Sequence, residues 1–231
     1  MNYITSKFVM DGDAFETPLV LASSSPRRRD LLPGLGLPFD VYSPQIDEKP
    51  KQGENPTEMV TRLAVEKASK VAKQLNVGLV IGADSVVVFG HKVLGKPKTS
   101  TEALQMLEML CDRKHRVVTG VAVIDVVRGF KMSIVEESIV LMRRYSRYER
   151  ERYVYSGASM DKAGAYAIQD TAFSPVSQVD GCYTNAVGLP LCRLSEMLTT
   201  LGVSLESRKV APDIHNCLFC KQARGYGNWT S

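Results

Sequence analysis

The stretch LASSSPRRRDLL (residues 21–32) joins the end of an apolar run to the start of a predicted helix. The run LVLA (19–22) predicts a buried strand, and PRRRDLLPGLG (26–36) predicts a short helix that ends at Pro33 and Gly34. A strand that leads through a serine-rich turn into a helix N-terminus is an arrangement that accepts phosphate. The alternative is a serine-capped helix with a solvated basic surface, and this stretch alone does not decide between the two.

The three consecutive arginines cannot all serve one ligand. Successive side chains of a helix diverge by about 100°, so at most two of Arg27, Arg28 and Arg29 can reach the same group. We therefore expect the three to have different roles.

The composition is that of a folded protein. The chain has 231 residues, 44% hydrophobic and 23% charged, which suits one large domain or two small lobes and argues against disorder. The net charge of +4 is mild, and its basic residues are interleaved with acidic ones, which disfavours nucleic-acid binding but allows a pocket for a small polyanion. The longest apolar region (79–89) is interrupted by Asp84 and is too short to span a bilayer, so no membrane association is expected.

The two ends of the chain differ from its middle. Residues 1–17 lack the apolar core of a signal peptide, and the odd number of cysteines, five, favours a reduced cytoplasmic protein. We predict an N-terminal extension (1–17), one domain (18–205) and a C-terminal tail (206–231). The tail contains HNCLFC (215–220), for which a structural zinc site is the alternative to a plain tail.

Strand and helix patterns alternate along the predicted domain. This alternation, together with an antiparallel hairpin, predicts an α/β fold with a mixed sheet flanked by helices. The predicted elements are strands at 19–23 and 39–43; a helix at 55–75; strand, break and strand over 77–95 with a turn at 90–91; a helix from Thr99 to about 111; a hairpin over 115–145; a helix at 146–157; short strands within 164–181; and a helix at 188–202.

Two charged residues interrupt apolar patterns. On a helical wheel Lys67 falls inside the apolar stripe of helix 55–75, so it must reach solvent, pair with an acid or line a cavity. Asp84 lies between two apolar runs, and a buried carboxylate needs a cation, a metal or hydrogen-bond donors. For Asp84 the functional interpretation is a general base or metal ligand where strands end, and the alternative is a turn between two strands.

Further charged residues lie in predicted loops. Lys96 and Lys98 in GKPKT (95–99) could each meet a phosphate, although a solvated position is favoured for Lys98. Asp47 and Glu48 add carboxylates whose default is an exposed loop. The sequence contains no GxxxxGK[ST], GxSxG or HExxH motif, and its histidines show no metal-ligand spacing.

Six motifs occur in an order that resembles the Maf family of nucleotide pyrophosphatases, across about residues 18–202. They are SSSPRRRDLL, LAVEKA, IGADSVVV, GKPKT, DKAGAYAIQD and NAVGLPL. The resemblance implies a fold similar to the inosine-triphosphate pyrophosphatases (Ham1-like), with two lobes around a central cleft and a homodimer. It also implies hydrolysis of a nucleoside triphosphate to the monophosphate and pyrophosphate, with Mg²⁺ or Mn²⁺ as cofactor.

The resemblance also assigns roles to residues. Asp84 would be the proton acceptor that activates water for attack on the α-phosphorus. Phosphate would be held by Ser23, Ser24, Ser25 and Arg27, with Lys67 and Lys96 neutralising charge. Asp84 and Glu48 are the candidate ligands of the divalent cation.

The substrate branch is indicated by three positions. Arg28, Ser85 and Gln169 resemble the branch that acts on dTTP and UTP, and a glutamine amide can complement the O4 and N3–H edge of uracil or thymine. Three residues depart from the family pattern: Asp30 stands where Glu is usual, Asp170 stands where Gly is usual, and Ser85 stands where Thr is often found. Asp30 is one methylene shorter than Glu, so a metal or lysine contact at this position is left open. Asp170 would add a negative charge close to the base of the nucleotide.

The sequence therefore predicts a cytoplasmic dTTP/UTP pyrophosphatase whose partner is a small nucleotide. The alternative from another class is a non-catalytic nucleotide-binding regulator linked to cell division, a role with which the family is associated. Nucleic-acid binding through the basic stretches is a third interpretation, which the interleaved acids disfavour.

Overall fold

A computed structural model describes residues 17–205, and within this range the chain forms a mixed sheet of seven strands. The strands are β1 (Leu19–Ala22), β2 (Phe39–Tyr42), β3 (Leu79–Phe89), β4 (Lys92–Leu94), β5 (Lys114–Asp125), β6 (Lys131–Met142) and β7 (Val176–Asp180). The helices are α1 (Pro26–Leu31), α2 (Pro56–Ala72), α3 (Ser100–Leu110), α4 (Arg147–Tyr155), α5 (Tyr183–Val187) and α6 (Leu191–Thr200).

The sheet combines a parallel part with an antiparallel part. Its order is β2-β1-β3-β5-β6-β7, with β4 pairing β3 separately. β1 runs parallel to both β2 and β3, whereas β5, β6 and β7 continue the sheet in antiparallel pairs. The predicted mixed α/β fold is therefore confirmed.

One edge of β3 is divided between two partners. Residues 79–82 pair with β1, and residues 87–89 pair with β4. Within the described chain, residues 83–86 have no strand partner on this edge, although their other edge is fully paired with β5. This gap leaves the backbone of residues 83–86 without strand pairing on that edge.

Helix α2 packs closely on one face of the sheet. Asn55 caps its N-terminus by accepting a hydrogen bond from the Glu58 backbone N–H at 2.9 Å, and Glu58 returns the bond to the Asn55 N–H. The helix backbone crosses two strand glycines. A Cβ on Gly82 would lie 2.2 Å from the Ala64 carbonyl oxygen, and one on Gly120 would lie 2.4 Å from that of Val60. The absence of side chains at these glycines sets the distance between α2 and the sheet.

Further apolar cores complete the molecule. Opposite α2, the 3₁₀ turn at 32–35 and α6 cover the β1 end of the sheet. A separate core forms around α3 and α4, on the far ends of β3, β5 and β6. The site described below lies between these cores.

Several local predictions need correction. The region 79–89 is one continuous strand, so the predicted break at Asp84 is wrong, and Asp84 pairs with Gly120 in mid-strand instead of lying at a strand end. Between 164 and 181 only β7 forms, and the five-residue helix α5 was not predicted. The β5–β6 hairpin, the turn at 90–91 and helix α4 agree with the sequence prediction.

Two other predictions concern membrane association and the C-terminal tail. No helix within residues 17–205 is long and apolar enough to cross a bilayer. The HNCLFC segment lies outside the described residues.

Candidate active site

A cleft of about 610 Å³ opens at the divided edge of β3. Its walls come from the turn after β1, the loop before α2, α2 itself, the segment after β4, the segment after α4 and the end of α5. Because side chains alternate along a strand, Asp84 and Ser85 leave β3 on opposite faces. The cleft is lined by both of them, so a ligand in it can meet both faces of the strand.

An ammonium group holds two carboxylates on the α2 side of the cleft. Lys67 is buried with only 6% of its surface exposed, and its Nζ donates to Asp84 Oδ1 at 2.6 Å. The same Nζ lies 2.5 Å from Oε1 of Glu48, which comes from the loop before α2. The apolar stripe placed Lys67 correctly, and it pairs with acids instead of reaching solvent. Asp84 is satisfied in the same way, so the turn interpretation for it is wrong.

The charge of Glu48 depends on this cluster. Burial raises the pKa of its carboxyl, but the hydrogen bond from Lys67 and the positive charges of Lys67, Lys96 and Arg28 outweigh burial and lower that pKa overall. The cleft thus holds Glu48 as a carboxylate at neutral pH. A loop acid that the sequence placed at the surface becomes a member of the site.

The serine turn after β1 forms the adjoining wall. The Oγ of buried Ser23 accepts from the Ser25 backbone N–H at 3.2 Å. The side chain of Ser25 makes no capping bond to α1, so a serine cap does not explain the turn. Ser24 and Ser25 line the cleft, and Arg27 beside them lies 3.4 Å from Asp161 across it.

The three arginines diverge as predicted. Arg28 is buried, Arg27 is half-buried at the cleft and Arg29 is exposed. The Nε of Arg28 donates to the Gly188 carbonyl at 2.8 Å, and Nη1 donates to the Ala83 carbonyl at 2.8 Å on the unpaired edge of β3. Burial lowers the pKa of the Arg28 guanidinium, yet a guanidinium remains charged in proteins.

On this second face Arg28 meets the next residue of β3. Its Nη2 donates to Ser85 Oγ at 2.9 Å, and Ser85 Oγ lies 2.9 Å from Thr119 Oγ1 on β5. The cleft wall beside them is apolar and includes Val87, Val117, Tyr166 and Ala186. A hydroxyl and a guanidinium at the edge of an apolar wall suit a flat ligand with a polar edge.

The remaining predicted residues separate into two groups. Lys96 lines the cleft, and so does Lys98, for which the sequence favoured a solvated position. Gln169 is exposed and lies outside the cleft lining, next to Ile168, which is part of it. The structure thus assembles every predicted site residue except Gln169.

Asp30 and Asp170, two of the residues that depart from the family pattern, lie outside the cleft lining. Asp30 is exposed and lies 3.9 Å from Arg29. Asp170 accepts from the Phe173 backbone N–H at 2.7 Å and so closes a local turn. Neither carboxylate contacts the Lys67 cluster.

Sequence reasoning missed two residues of the cleft and one buried residue behind it. Asp161 and Gly188 lie in motifs that carried the family resemblance, DKAGAYAIQD and NAVGLPL, but no role was assigned to them. Thr119 gave no signal, because a threonine inside a strand is ordinary. Its importance depends on being opposite Ser85 in the β3–β5 register.

The fold and the cleft define an α/β protein with a site for a polyanion that carries an apolar group. The comparisons agree, since the family model "Maf-like protein" matches residues 18–201. The chain belongs to the Maf family.

Two relatives illustrate the similarity. The dTTP/UTP pyrophosphatase of Pelotomaculum thermopropionicum is 48% identical over 187 residues, which is 81% of this chain and 98% of that protein. The dTTP/UTP pyrophosphatase of Methanosarcina barkeri is 42% identical over 81% of this chain and 95% of that protein. Among solved structures, the Ham1 protein of Staphylococcus aureus matches 80% of this chain and 99% of its own, at 17% identity and a TM-score of 0.46.

Proposed function

We propose that this protein is a nucleoside triphosphate pyrophosphatase that hydrolyses dTTP and UTP to the monophosphate and pyrophosphate. The observation that carries the proposal is the Glu48–Lys67–Asp84 cluster at the divided edge of β3. This cluster combines a proton acceptor with a cation inside a cleft that also presents Arg27 and Lys96. Relatives 42–48% identical over 81% of the chain are named dTTP/UTP pyrophosphatase.

In this proposal the phosphates bind on the Glu48–Lys67 side of the cleft. Lys67 lies on α2, and Arg27, Lys96, Ser24 and Ser25 line the same cleft. Phosphoryl chemistry depends on positioning and on neutralising charge. A triphosphate here would replace Asp161 as the partner of Arg27.

Asp84 is the group that accepts the proton of the attacking water. Lys67 holds Oδ1, and Oδ2 makes no hydrogen bond within the described residues. A carboxylate fixed through one oxygen can present the other to a water molecule in a constant orientation. The products follow when the water oxygen bonds to the α-phosphorus and the bond to the bridging oxygen of pyrophosphate breaks.

A divalent cation, Mg²⁺ or Mn²⁺, is part of the proposal. Glu48 and Asp84 both place an oxygen within 2.6 Å of the Lys67 ammonium, so two hard oxygen donors already converge on one cationic position, which fits such an ion. Within residues 17–205 no group of three or more His, Cys, Asp and Glu side chains is gathered for metal binding. Water and phosphate oxygens would complete the ligand set. When bound, the ion would supply charge neutralisation for the triphosphate.

The proposal includes a homodimer in the cytoplasm, as the family resemblance implies. Sedimentation velocity of the full chain would give the mass of a dimer. A single monomer species at micromolar concentration would reject that part of the proposal alone.

The test is pyrophosphate release from a panel of nucleoside triphosphates, with and without Mg²⁺. The Asp84→Asn change keeps the size of the side chain and removes the base, so kcat should fall by about 100-fold or more. Asp30→Asn, an exposed acid outside the cleft lining, is the matched control. An undiminished rate in Asp84→Asn would exclude the base assignment, and nucleotide binding without turnover by the unmodified protein would favour a regulator.

A further inference from the structure

Arg28 has almost all of its donors committed to the protein. Nε and Nη1 donate to carbonyl oxygens of Gly188 and Ala83, and Nη1 also lies 3.4 Å from Ser23 Oγ. Nη2 donates one hydrogen to Ser85 Oγ. Of the five N–H groups of a guanidinium, one on Nη2 is left without a partner among the described residues. Since the side chain is only 8% exposed, the position of that group is fixed.

The Ser85 hydroxyl shares its lone pairs with two neighbours. Arg28 can only donate, so Ser85 accepts at that contact. Thr119 Oγ1 lies 2.9 Å away, and either oxygen can donate there. Thr119 is fully buried and lies outside the cleft lining, so a ligand can touch Ser85 but not Thr119.

Two proton arrangements satisfy this hydroxyl pair. In the first, Thr119 donates to Ser85, and the Ser85 proton is free for the cleft or for the Gly188 carbonyl at 3.4 Å. In the second, Ser85 donates to Thr119, and Thr119 donates to the backbone carbonyl of Asn185 at 3.4 Å. The terminal contacts are equally long, so these two distances favour neither arrangement.

The neighbouring guanidinium determines which ligand atom can lie there. Its free N–H group on Nη2 and its positive charge both require an electronegative acceptor beside Ser85. Such an acceptor matches the first arrangement, in which Arg28 and Thr119 occupy both lone pairs of Ser85. The Ser85 hydroxyl is then a donor.

We propose that Thr119 is a specificity-determining positioning residue, whose hydroxyl makes Ser85 a hydrogen-bond donor toward the O4 carbonyl of uracil or thymine. Cytosine carries an amino group at that position, so its N–H donor would face two other donors, the Ser85 hydroxyl and the free N–H on Arg28 Nη2. The inference rests on the proposed function, because it assumes that the base occupies the apolar wall beside Ser85. The inference adds to that function a selection of uracil and thymine, which carry a carbonyl at position 4, over cytosine, which carries an amino group there.

The test compares kcat/KM for UTP and CTP in Thr119→Val. Valine has a similar shape but no hydroxyl, so it frees one lone pair of Ser85 to accept from an amino group. The UTP-to-CTP ratio should fall about fivefold to tenfold, mainly through KM, and Thr119→Ser should restore it. Ser138→Ala is the matched control, because it removes a buried hydroxyl that bonds Asn185 and does not contact Ser85.

An unchanged ratio in folded Thr119→Val would overturn the inference. If that variant does not fold, Thr119→Cys is the substitute, because its thiol retains a weak donor. Its UTP-to-CTP ratio of kcat/KM should lie between the wild-type ratio and one. A wild-type ratio in Thr119→Cys would equally overturn it. If the unmodified protein releases no pyrophosphate from UTP, the proposed function fails, and equilibrium binding of UMP against CMP then tests Thr119 by itself.

Discussion

At the scale of single residues, the ammonium of Lys67 connects two segments of the chain. It contacts two carboxylates from different segments, Glu48 in a loop and Asp84 in a strand. Removing one member of a buried ionic cluster leaves the remaining charges uncompensated. Because a divalent cation would bind the same two carboxylates as Lys67, the two cations would compete in the nucleotide-free protein.

This competition gives a prediction for Lys67→Met. Methionine preserves the length of the side chain and removes its charge, so the two carboxylates should bind Mn²⁺ about tenfold more tightly or better without nucleotide. Titration of Mn²⁺ followed by electron paramagnetic resonance measures this directly. Lys70→Met, an exposed lysine on the same helix, is the control. Equal Mn²⁺ affinity in Lys67→Met and the wild type would contradict the prediction.

Residue predictions from sequence succeeded where a periodic pattern existed. The 3.6-residue repeat placed Lys67 on the buried stripe of α2, and the interrupted apolar run singled out Asp84. Glu48 lies in a loop, where no period indicates which side chains turn inward. The role of Thr119 depends on strand register, which a single strand pattern does not contain.

At the scale of elements, the contact of α2 with the sheet positions the site. A side chain at Gly82 would meet the Ala64 carbonyl oxygen at 2.2 Å, and backbone cannot move aside cheaply. Gly82→Ala should therefore lower the free energy of unfolding by about 3 kcal/mol. It should also lower kcat, because any shift of α2 moves Lys67 away from Asp84.

Urea unfolding monitored by circular dichroism checks the stability change. Gly95→Ala is the control for stability, since a Cβ there would have nothing within 4 Å. A loss in Gly82→Ala no larger than that in Gly95→Ala would show that the helix tolerates a wider spacing.

The elements were predicted best where local signals agreed with the tertiary structure. Helix α2 combines an apolar period with a capping box, and the β5–β6 hairpin has alternating strands on either side of a turn. The break expected at Asp84 did not form because Lys67 compensates the carboxylate within the strand. Residues 163–165 form a 3₁₀ turn and 166–175 are irregular, whereas the sequence predicted short strands there.

At the scale of the whole molecule, one buried histidine links stability to pH. His115 on β5 lies in the core around α3 and α4, and its Nε2 is 2.7 Å from the hydroxyl of Tyr166. Burial lowers the pKa of His115 to about 4. The unfolded chain, with an ordinary histidine pKa of about 6.5, binds the proton first as the pH falls.

Stability should therefore fall on acidification. The contribution of neutral His115 is complete above about pH 6.5, is lost as the pH drops toward about 4 and changes little below that. Between pH 7 and pH 5 the free energy of unfolding should fall by about 2 kcal/mol through this residue. Urea titrations at both pH values should show that loss in the wild type and a correspondingly smaller one in His115→Gln. Identical losses in both proteins would reject the assignment to His115.

The divided edge of β3 has a consequence for how this protein can change. Residues 84 and 85 face opposite sides of the strand, so a register slip of one position would exchange the two sets of side chains. A single-residue insertion or deletion in β3 would therefore disturb the chemistry of the cleft as well as the packing. Point substitutions remain open on either side. Under the proposed function, those on the Ser85 side would alter which nucleotide is bound, and those on the Asp84 side would alter the rate of its hydrolysis.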